Sequence, residues 1–171
     1  MSGPTRRLFI GLMPDADVRD ALAAHQQRWY WGAGTPTRAD RLHVTLHFLG
    51  EIDATREWAL RNVLAGEDVA PFDLVLRTPE CWSGGIAVLR PDDHPALNDL
   101  HARLAGRLLQ AGIASHRADF TPHVTLARGA MNAAPPEAAA PVRWTVNDFA
   151  LVWSRPGPPA RYEVLDRYGA A

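Results

Sequence analysis

The spacing of apolar residues changes period several times along the chain. Residues 8–13 (LFIGLM) are almost wholly apolar and stop at Pro14, the pattern of a short buried strand. Val18, Leu22, His25 and Trp29 then fall on one helical face. That spacing predicts a helix from a cap at Asp15 or Asp17 to about Trp31, with Gly32, Gly34 and Pro36 breaking it. Residues 41–49 read as a second strand closed by Gly50, and residues 53–64 as a helix capped by Asp53, with Trp58 and Leu64 among its apolar positions. Strands are predicted at 71–78 and 86–90, around a turn at Gly84 and Gly85.

The second half continues the mixture. Leu97, Leu100, Leu104 and Leu108 sit at helical spacing within residues 93–111, and Gly112 is a natural stop. Strands follow near 113–117, 123–128, 142–154 and 161–167, and the Ala/Pro-rich residues 131–141 read as a surface loop. The strict βαβα alternation of a doubly wound sheet is missing, so an α+β fold is expected, with sheets inside and helices outside.

Composition narrows the chemistry. The 171 residues suit one domain, or two small lobes sharing a core, and 18 basic against 19 acidic side chains leave a net charge of -1. That balance argues against a chain that coats nucleic acid through bulk charge, while leaving room for a local basic groove. All 18 basic residues are Arg. Without a Lys there is no Schiff base, pyridoxal attachment, P-loop lysine or lysyl-nucleotide intermediate, whereas Arg grips phosphate well. Cys81 is the one cysteine, which rules out an internal disulfide and a Cys-rich zinc site; it has no thiolate-stabilising neighbours in sequence. Arg6 and Arg7 precede too short an apolar run for an export signal, and no run approaches the roughly 18 residues of a membrane span. A soluble, cytoplasmic protein is expected.

Residues 43–46 read His-Val-Thr-Leu, and 80 positions later residues 123–126 read the same. The flanks differ (RLHVTLHFLGE and FTPHVTLARGA), so this is not low-complexity repetition but two equivalent strands, one per half of the chain. On a strand, residues i and i+2 share a face, which pairs His43 with Thr45 and His123 with Thr125, and turns Val44, Leu46, Val124 and Leu126 toward a core. Two such strands side by side would surround a small anion with two imidazoles and two hydroxyls. One imidazole can take a proton from a nucleophile while the other gives one to a leaving oxygen, which suits a phosphodiester without metal or nucleotide cofactor. Arg128, three residues beyond Thr125, is placed to reach back to a phosphate oxygen; the matching position after the first motif is Phe48. One strand would bring charge, the other packing or a surface for a base. Pro122 holds Thr121 extended on the way into the second motif.

Other residues admit plainer readings. His47 shares the parity of His43 and Thr45 and is expected to line the same groove. A zinc site from His43 and His47 is discounted, because four strand residues span about 13 Å. His25, His94, His101 and His116 are expected on the surface or on helix faces. Trp29, Tyr30 and Trp31 are expected to pack a helix end rather than stack bases. Phe9 and Phe48 are better placed for a nucleobase, with core packing the equal alternative. Arg38 and Arg41 fit a solvated loop or a guide for an RNA backbone.

With these motifs in view, the chain resembles the two-histidine phosphoesterase superfamily, and in particular the bacterial RNA 2′,3′-cyclic phosphodiesterases, also called 2′-5′ RNA ligases (LigT-like). The resemblance runs almost end to end: RRLFIGLMPDADVRDAL is similar to the opening strand and helix, RLHVTLHFLGEID and FTPHVTLARG to the two His motifs, and FALVWSRPGPPARYEVLDRY to the closing hairpin. CWSGGIAVLRP departs most. The resemblance implies a domain over residues 1–171, made of two lobes in a pseudo-twofold arrangement of antiparallel sheets with outer helices and a central groove. It implies hydrolysis of a 2′,3′-cyclic phosphate at an RNA end to a 2′-phosphomonoester, with reversible 2′-5′ RNA ligation as a side activity that uses the energy of the cyclic phosphate, and no cofactor. By the same analogy His43 protonates the departing oxygen, His123 activates water, and Thr45, Thr125 and Arg128 hold the phosphate. No protein partner is implied, and a monomer is expected. Two alternatives stay open: the same chemistry on a small cyclic phosphate derived from a nucleotide or ADP-ribose, and a non-catalytic RNA-binding module. The latter would be expected to lose a His, and both are present.

Overall fold

The computed structural model describes residues 3–114 and 119–169. The opening apolar run forms β1 (Thr5–Leu12), and Asp15 then caps α1 (Ala16–Gln27) by accepting from the Val18 amide at 2.9 Å. Val18, Leu22, His25 and Trp29 are all buried. The helix ends four residues before Trp31. The Arg28 and Trp29 amides reach back only three residues, and Tyr30 then pairs with Ala134 in the loop predicted to be purely surface.

β2 (Thr35–Pro36) and a 3₁₀ turn over Ala39–Arg41 lead into β3 (Val44–Asp53), which runs past Gly50 to the cap residue of α2 (Ala54–Leu64). β4 (Phe72–Trp82) and β5 (Ile86–Pro91) form the hairpin around Gly84 and Gly85, and α3 (Pro95–Gln110) follows. His94 rather than Asp93 caps α3, its Nδ1 accepting from the Ala96 amide, with Pro95 fitting the first helical turn; the Asp93 carboxylate is taken by Asn98 instead. Leu97, Leu100, Leu104 and Leu108 are fully buried, each stabilising by about 1.5–3 kcal/mol.

The strand predicted at 113–117 falls largely on residues outside those described; Ile113 and Ala114 are not in a strand. β6 (Val124–Arg128) carries the second motif. The single strand predicted over 142–154 is two, β7 (Val142–Val146) and β8 (Phe149–Arg155), interrupted at Asn147 and Asp148. They go to opposite ends of the molecule. β7 pairs with β4, whereas β8 pairs with β1 and with β9 (Arg161–Tyr168).

The strand order is β7-β4-β5-β6-β3-β1-β8-β9, antiparallel throughout, with β2 added beside β6. Its two halves, four strands each, are the two lobes, and in the sheet they meet only at the bridge Val44–Val124. The helices are exchanged: α1 leaves the β3 lobe to pack on β7, and α3 leaves the β6 lobe to pack on β3 and α2. One apolar core therefore runs through both lobes. No helix among the described residues is long and apolar enough to cross a membrane.

Candidate active site

Both motif strands carry the same irregularity. In β3, Thr45 pairs with Gly11 and His47 with Ile10, so Leu46 is an extra, unpaired residue. In β6, Thr125 pairs with Val88 and Ala127 with Ala87, leaving Leu126 in the same position. A bulge shifts the alternation by one. Hence Leu46 with His47, and Leu126 with Ala127, are consecutive buried pairs, and the next residues, Phe48 and Arg128, turn back outward. This corrects the placement of His47. It lies beneath the sheet against α3, its Nε2–H donating to the His101 carbonyl at 2.9 Å, and Phe48 takes its place in the groove. His43 and His47 consequently face opposite sides and cannot share an ion.

Between the lobes lies a groove of about 480 Å³ lined by His43, Thr45, Phe48, His123, Thr125 and Arg128, together with Arg38, Arg41, Tyr162 and the segment Thr35–Thr37. The five residues singled out from the two motifs and Arg128 thus stand on one cavity. Arg38 and Arg41 also face it, although Arg38 is held sideways by Asp40 at 3.3 Å.

Each imidazole is anchored in the same way. His43 Nδ1 lies 2.6 Å from the Arg41 carbonyl, and His123 Nδ1 lies 2.7 Å from the Thr121 carbonyl. A carbonyl only accepts, so Nδ1 carries the hydrogen in both rings, and Nε2 is left with the lone pair while the ring is neutral. Thr45 Oγ1 lies 2.8 Å from His43 Nε2 and donates to it while the ring is neutral. None of the described residues hydrogen-bonds His123 Nε2. Burial pushes both imidazoles below their ordinary 6.5, partly offset by the bond to the carbonyl. The charge of His123 lowers His43 further, and Arg90 and Arg128 lower His123.

The surroundings of the two rings differ. His43 packs against Phe9 at 4.9 Å and against the edge of Tyr162 at 5.3 Å, with the Arg41 guanidinium 5.8 Å over the Tyr162 ring. Phe9 reaches His43 because residue 11 is Gly. A Cβ there would come within 2.9 Å of the Val44 carbonyl oxygen and 3.2 Å of the Phe9 ring. Phe9 is buried, which leaves Phe48, 64% exposed, as the ring free to meet a ligand. His123 packs instead against Trp82 at 4.5 Å, and Glu80 joins Trp82 Nε1 to Arg90. Gln26 on α1 secures this side. Its amide donates to the Leu126 carbonyl at the bulge (2.8 Å) and to the Thr37 carbonyl (2.9 Å), tying the Thr35–Thr37 segment to the second motif.

Gln26, Trp82 and Tyr162 were not anticipated. Gln26 could have been suspected as a polar residue four positions after Leu22, on the apolar face of α1. Tyr162 had no local signal, since only the pairing of β9 with β8 and of β8 with β1 brings it to His43. The other histidines divide. His25 is buried and accepts from Trp29 Nε1 at 2.9 Å, His101 is stacked between two rings, and His116 lies outside the described residues. Trp29 and Trp31 stack on each other at 4.8 Å as packing residues, while Tyr30 is exposed.

Comparison with known proteins gives a consistent picture. A profile of the 2′-5′ RNA ligase superfamily matches residues 16–158. The RNA 2′,3′-cyclic phosphodiesterase of Escherichia coli strain K12 is 35% identical over 138 residues, covering 78% of this chain and 77% of its own. The crystal structure of E. coli LigT in apo form has a TM-score of 0.83 at 27% identity, with 99% of each chain covered. E. coli LigT complexed with 3′-AMP has a TM-score of 0.81 at 27% identity, again over 99% of each chain.

Proposed function

The chain belongs to the 2′-5′ RNA ligase superfamily, and from that premise we propose that it hydrolyses a terminal RNA 2′,3′-cyclic phosphate to a 2′-phosphomonoester. The observation that carries this reading is the pair of imidazoles, one per lobe, each with Nδ1 fixed on a carbonyl and each lining one groove with Arg128. In the proposed reaction a water oxygen attacks phosphorus, His123 takes the water proton, and the bond from phosphorus to O3′ breaks. His43 supplies the proton that O3′ needs. His123 suits the base because its Nε2 lone pair has no partner among the described residues, while His43 exchanges its proton beside Thr45 Oγ1. Thr45, Thr125 and Arg128 hold the phosphate oxygens, with Arg128 meeting the charge that develops on them. Imidazoles carry both protons, so the scheme calls for no metal.

An RNA end fits better than a small cyclic phosphate because Arg38, Arg41 and the exposed Phe48 border the groove, offering cations for a backbone and a face for a base. A relative named as an RNA 2′,3′-cyclic phosphodiesterase supports the same substrate class, and the E. coli LigT structure solved with 3′-AMP supports a nucleotide as the bound unit. Ligation to a 2′-5′ linkage is the same ring opening with an RNA 5′-hydroxyl in place of water: its oxygen attacks phosphorus, its proton goes to His123, and the bond to O3′ breaks.

The test is incubation of the purified protein, in excess EDTA, with an oligonucleotide ending in a 2′,3′-cyclic phosphate, beside His43→Ala and His123→Ala. Conversion to a 2′-phosphate, assigned by NMR and lost in both variants, is the expected result. Turnover only of free cyclic nucleotides would replace RNA by the small substrate. Activity surviving in either variant would overturn the paired-histidine scheme.

A further inference from the structure

The proposed reaction needs two imidazoles held in one relation, yet in the sheet the lobes meet at a single residue pair, Val44 and Val124. Three rings drawn from both sides of that junction form a continuous stack. His47, the residue after the β3 bulge, lies 4.2 Å from His101 on α3 with the planes 13° apart. His101 in turn lies 3.9 Å from Phe120 with the planes 8° apart. His101 is thus clamped between a residue four positions after His43 and a residue three positions before His123.

The path from the stack to the chemistry is short. Phe120 is followed by Thr121 and Pro122, and Pro122 restricts Thr121 to extended backbone. The Thr121 carbonyl is the group that orients His123 through Nδ1, at 2.7 Å. A displacement of Phe120 therefore moves the acceptor on which the His123 ring is hung. On the other side, the His47 Nε2–H donates to the His101 carbonyl, so the β3 strand is fixed to α3 by backbone as well as by ring.

Resting on the reading that His43 and His123 carry the reaction, we infer that His101 is a positioning residue whose ring, held between His47 and Phe120, sets the orientation of the His123 imidazole relative to His43. A flat ring fits between two near-parallel rings at these separations, which a branched aliphatic chain would force apart. The imidazole also stays uncharged there: burial and the neighbouring His47 push it down to about 4. Positioning errors of about 1 Å cost on the order of a hundredfold in rate, so the stack has leverage on catalysis without touching substrate.

The experiment compares wild type, His101→Ala and His101→Phe by steady-state kinetics on the cyclic-phosphate oligonucleotide. It also titrates His123 by NMR in the substrate-free proteins. His101→Ala is expected to lower kcat roughly tenfold to a hundredfold with KM within about twofold, because the phosphate-holding groups are untouched. The His123 midpoint should fall in the same variant, since the Thr121 hydrogen bond raises it. His101→Phe keeps the stack and should restore both. Unchanged kcat and midpoint in His101→Ala, or a His101→Phe as impaired as His101→Ala, would overturn the inference. Should His101→Ala not fold, His101→Leu fills the space without a flat ring and is expected to show the same losses. If wild type has no turnover, the reaction assigned above fails, and the NMR titration by itself decides the role of His101.

Discussion

The two lobes present the same four residues on the same bulged strand, with each histidine fixed on the carbonyl two positions earlier. Around that shared frame they are unlike. The β3 lobe surrounds its histidine with Phe9, Tyr162 and Phe48. The β6 lobe surrounds its own with Arg128, Trp82 and the Glu80–Arg90 pair, and is fastened by Gln26 from the exchanged helix. The repeat decides where the two imidazoles, which the proposed reaction uses, stand. The residue delivered to the groove by each bulge, Phe48 or Arg128, sets what each lobe offers there: an apolar face on one side, which the proposal gives to a base, and a cation on the other, which it gives to the phosphate.

The largest expected effects fall on what the lobes share. His43→Ala and His123→Ala should each reduce kcat by about 10²–10⁴-fold, and the double variant should lose less than the product of the two, because the histidines act as one unit. A single-turnover assay would check this, and a double variant that lost the full product would break the equivalence of the lobes. Next come the residues in which they differ. Arg128→Ala should cost about 10²-fold in kcat/KM on any cyclic phosphate, with or without a base. Phe48→Ala should raise KM by roughly tenfold on an oligonucleotide, while leaving a minimal cyclic phosphate without a nucleobase nearly unaffected. Equal responses of the two substrates to Phe48→Ala would remove the division of labour between the lobes.

The sequence shows which half of this comparison is local. His43, Thr45, His123, Thr125 and the four leucines of α3 could be read directly, because their spacing is a property of one strand or one helix. Arg128 was legible as the charged residue after a motif, but its return to the groove depends on the bulge at Leu126. That same kind of bulge, unseen at Leu46, misplaced His47. Register and helix exchange are non-local, so nothing near Tyr162 or Trp82 announced them, and Gln26 showed only as a polar residue on the apolar face of α1. The split of residues 142–154 into β7 and β8 was hidden for the same reason: each piece is apolar enough to be a strand, and only the opposite lobes claim them separately.

The pH profile probes the environments together. Both histidines lie below 6.5, so the base becomes competent, and the acid loses its proton, at a pH lower than unperturbed imidazoles would give. The kcat/KM profile of the free enzyme should be a bell with its maximum on the acid side of 6.5. A bound phosphodiester anion favours imidazolium, so the kcat profile should lie at higher pH than the kcat/KM profile. Arg128→Ala removes a charge that lowers His123 but not His43, and should move the His123 limb upward, while the His43 limb, which the His123 charge lowers, stays in place or moves slightly down. Upward movement of both limbs, or a flat profile between about pH 5 and 8, would contradict paired imidazoles in unequal surroundings.

The smallest effect concerns stability and tests the ring that spans the comparison. His101 has a folded-state value of about 4 against 6.5, lowered by burial and by His47; Phe120, on its other face, carries no charge. In that interval the unfolded chain binds a proton that the folded chain refuses, so stability is full above about pH 6.5, falls as pH drops toward 4, and levels below it. Solvent reaches the partly exposed ring, which limits its contribution to about 1 kcal/mol. Urea unfolding of wild type and His101→Phe at several pH values separates this from other groups. The variant should lose part of the decline between pH 6.5 and 4 and match the wild-type slope above 7. If its stability instead falls as steeply as that of wild type, the stack is not where the proton is excluded, and the acid sensitivity belongs to His25, His43, His47 or His123, all likewise held below 6.5.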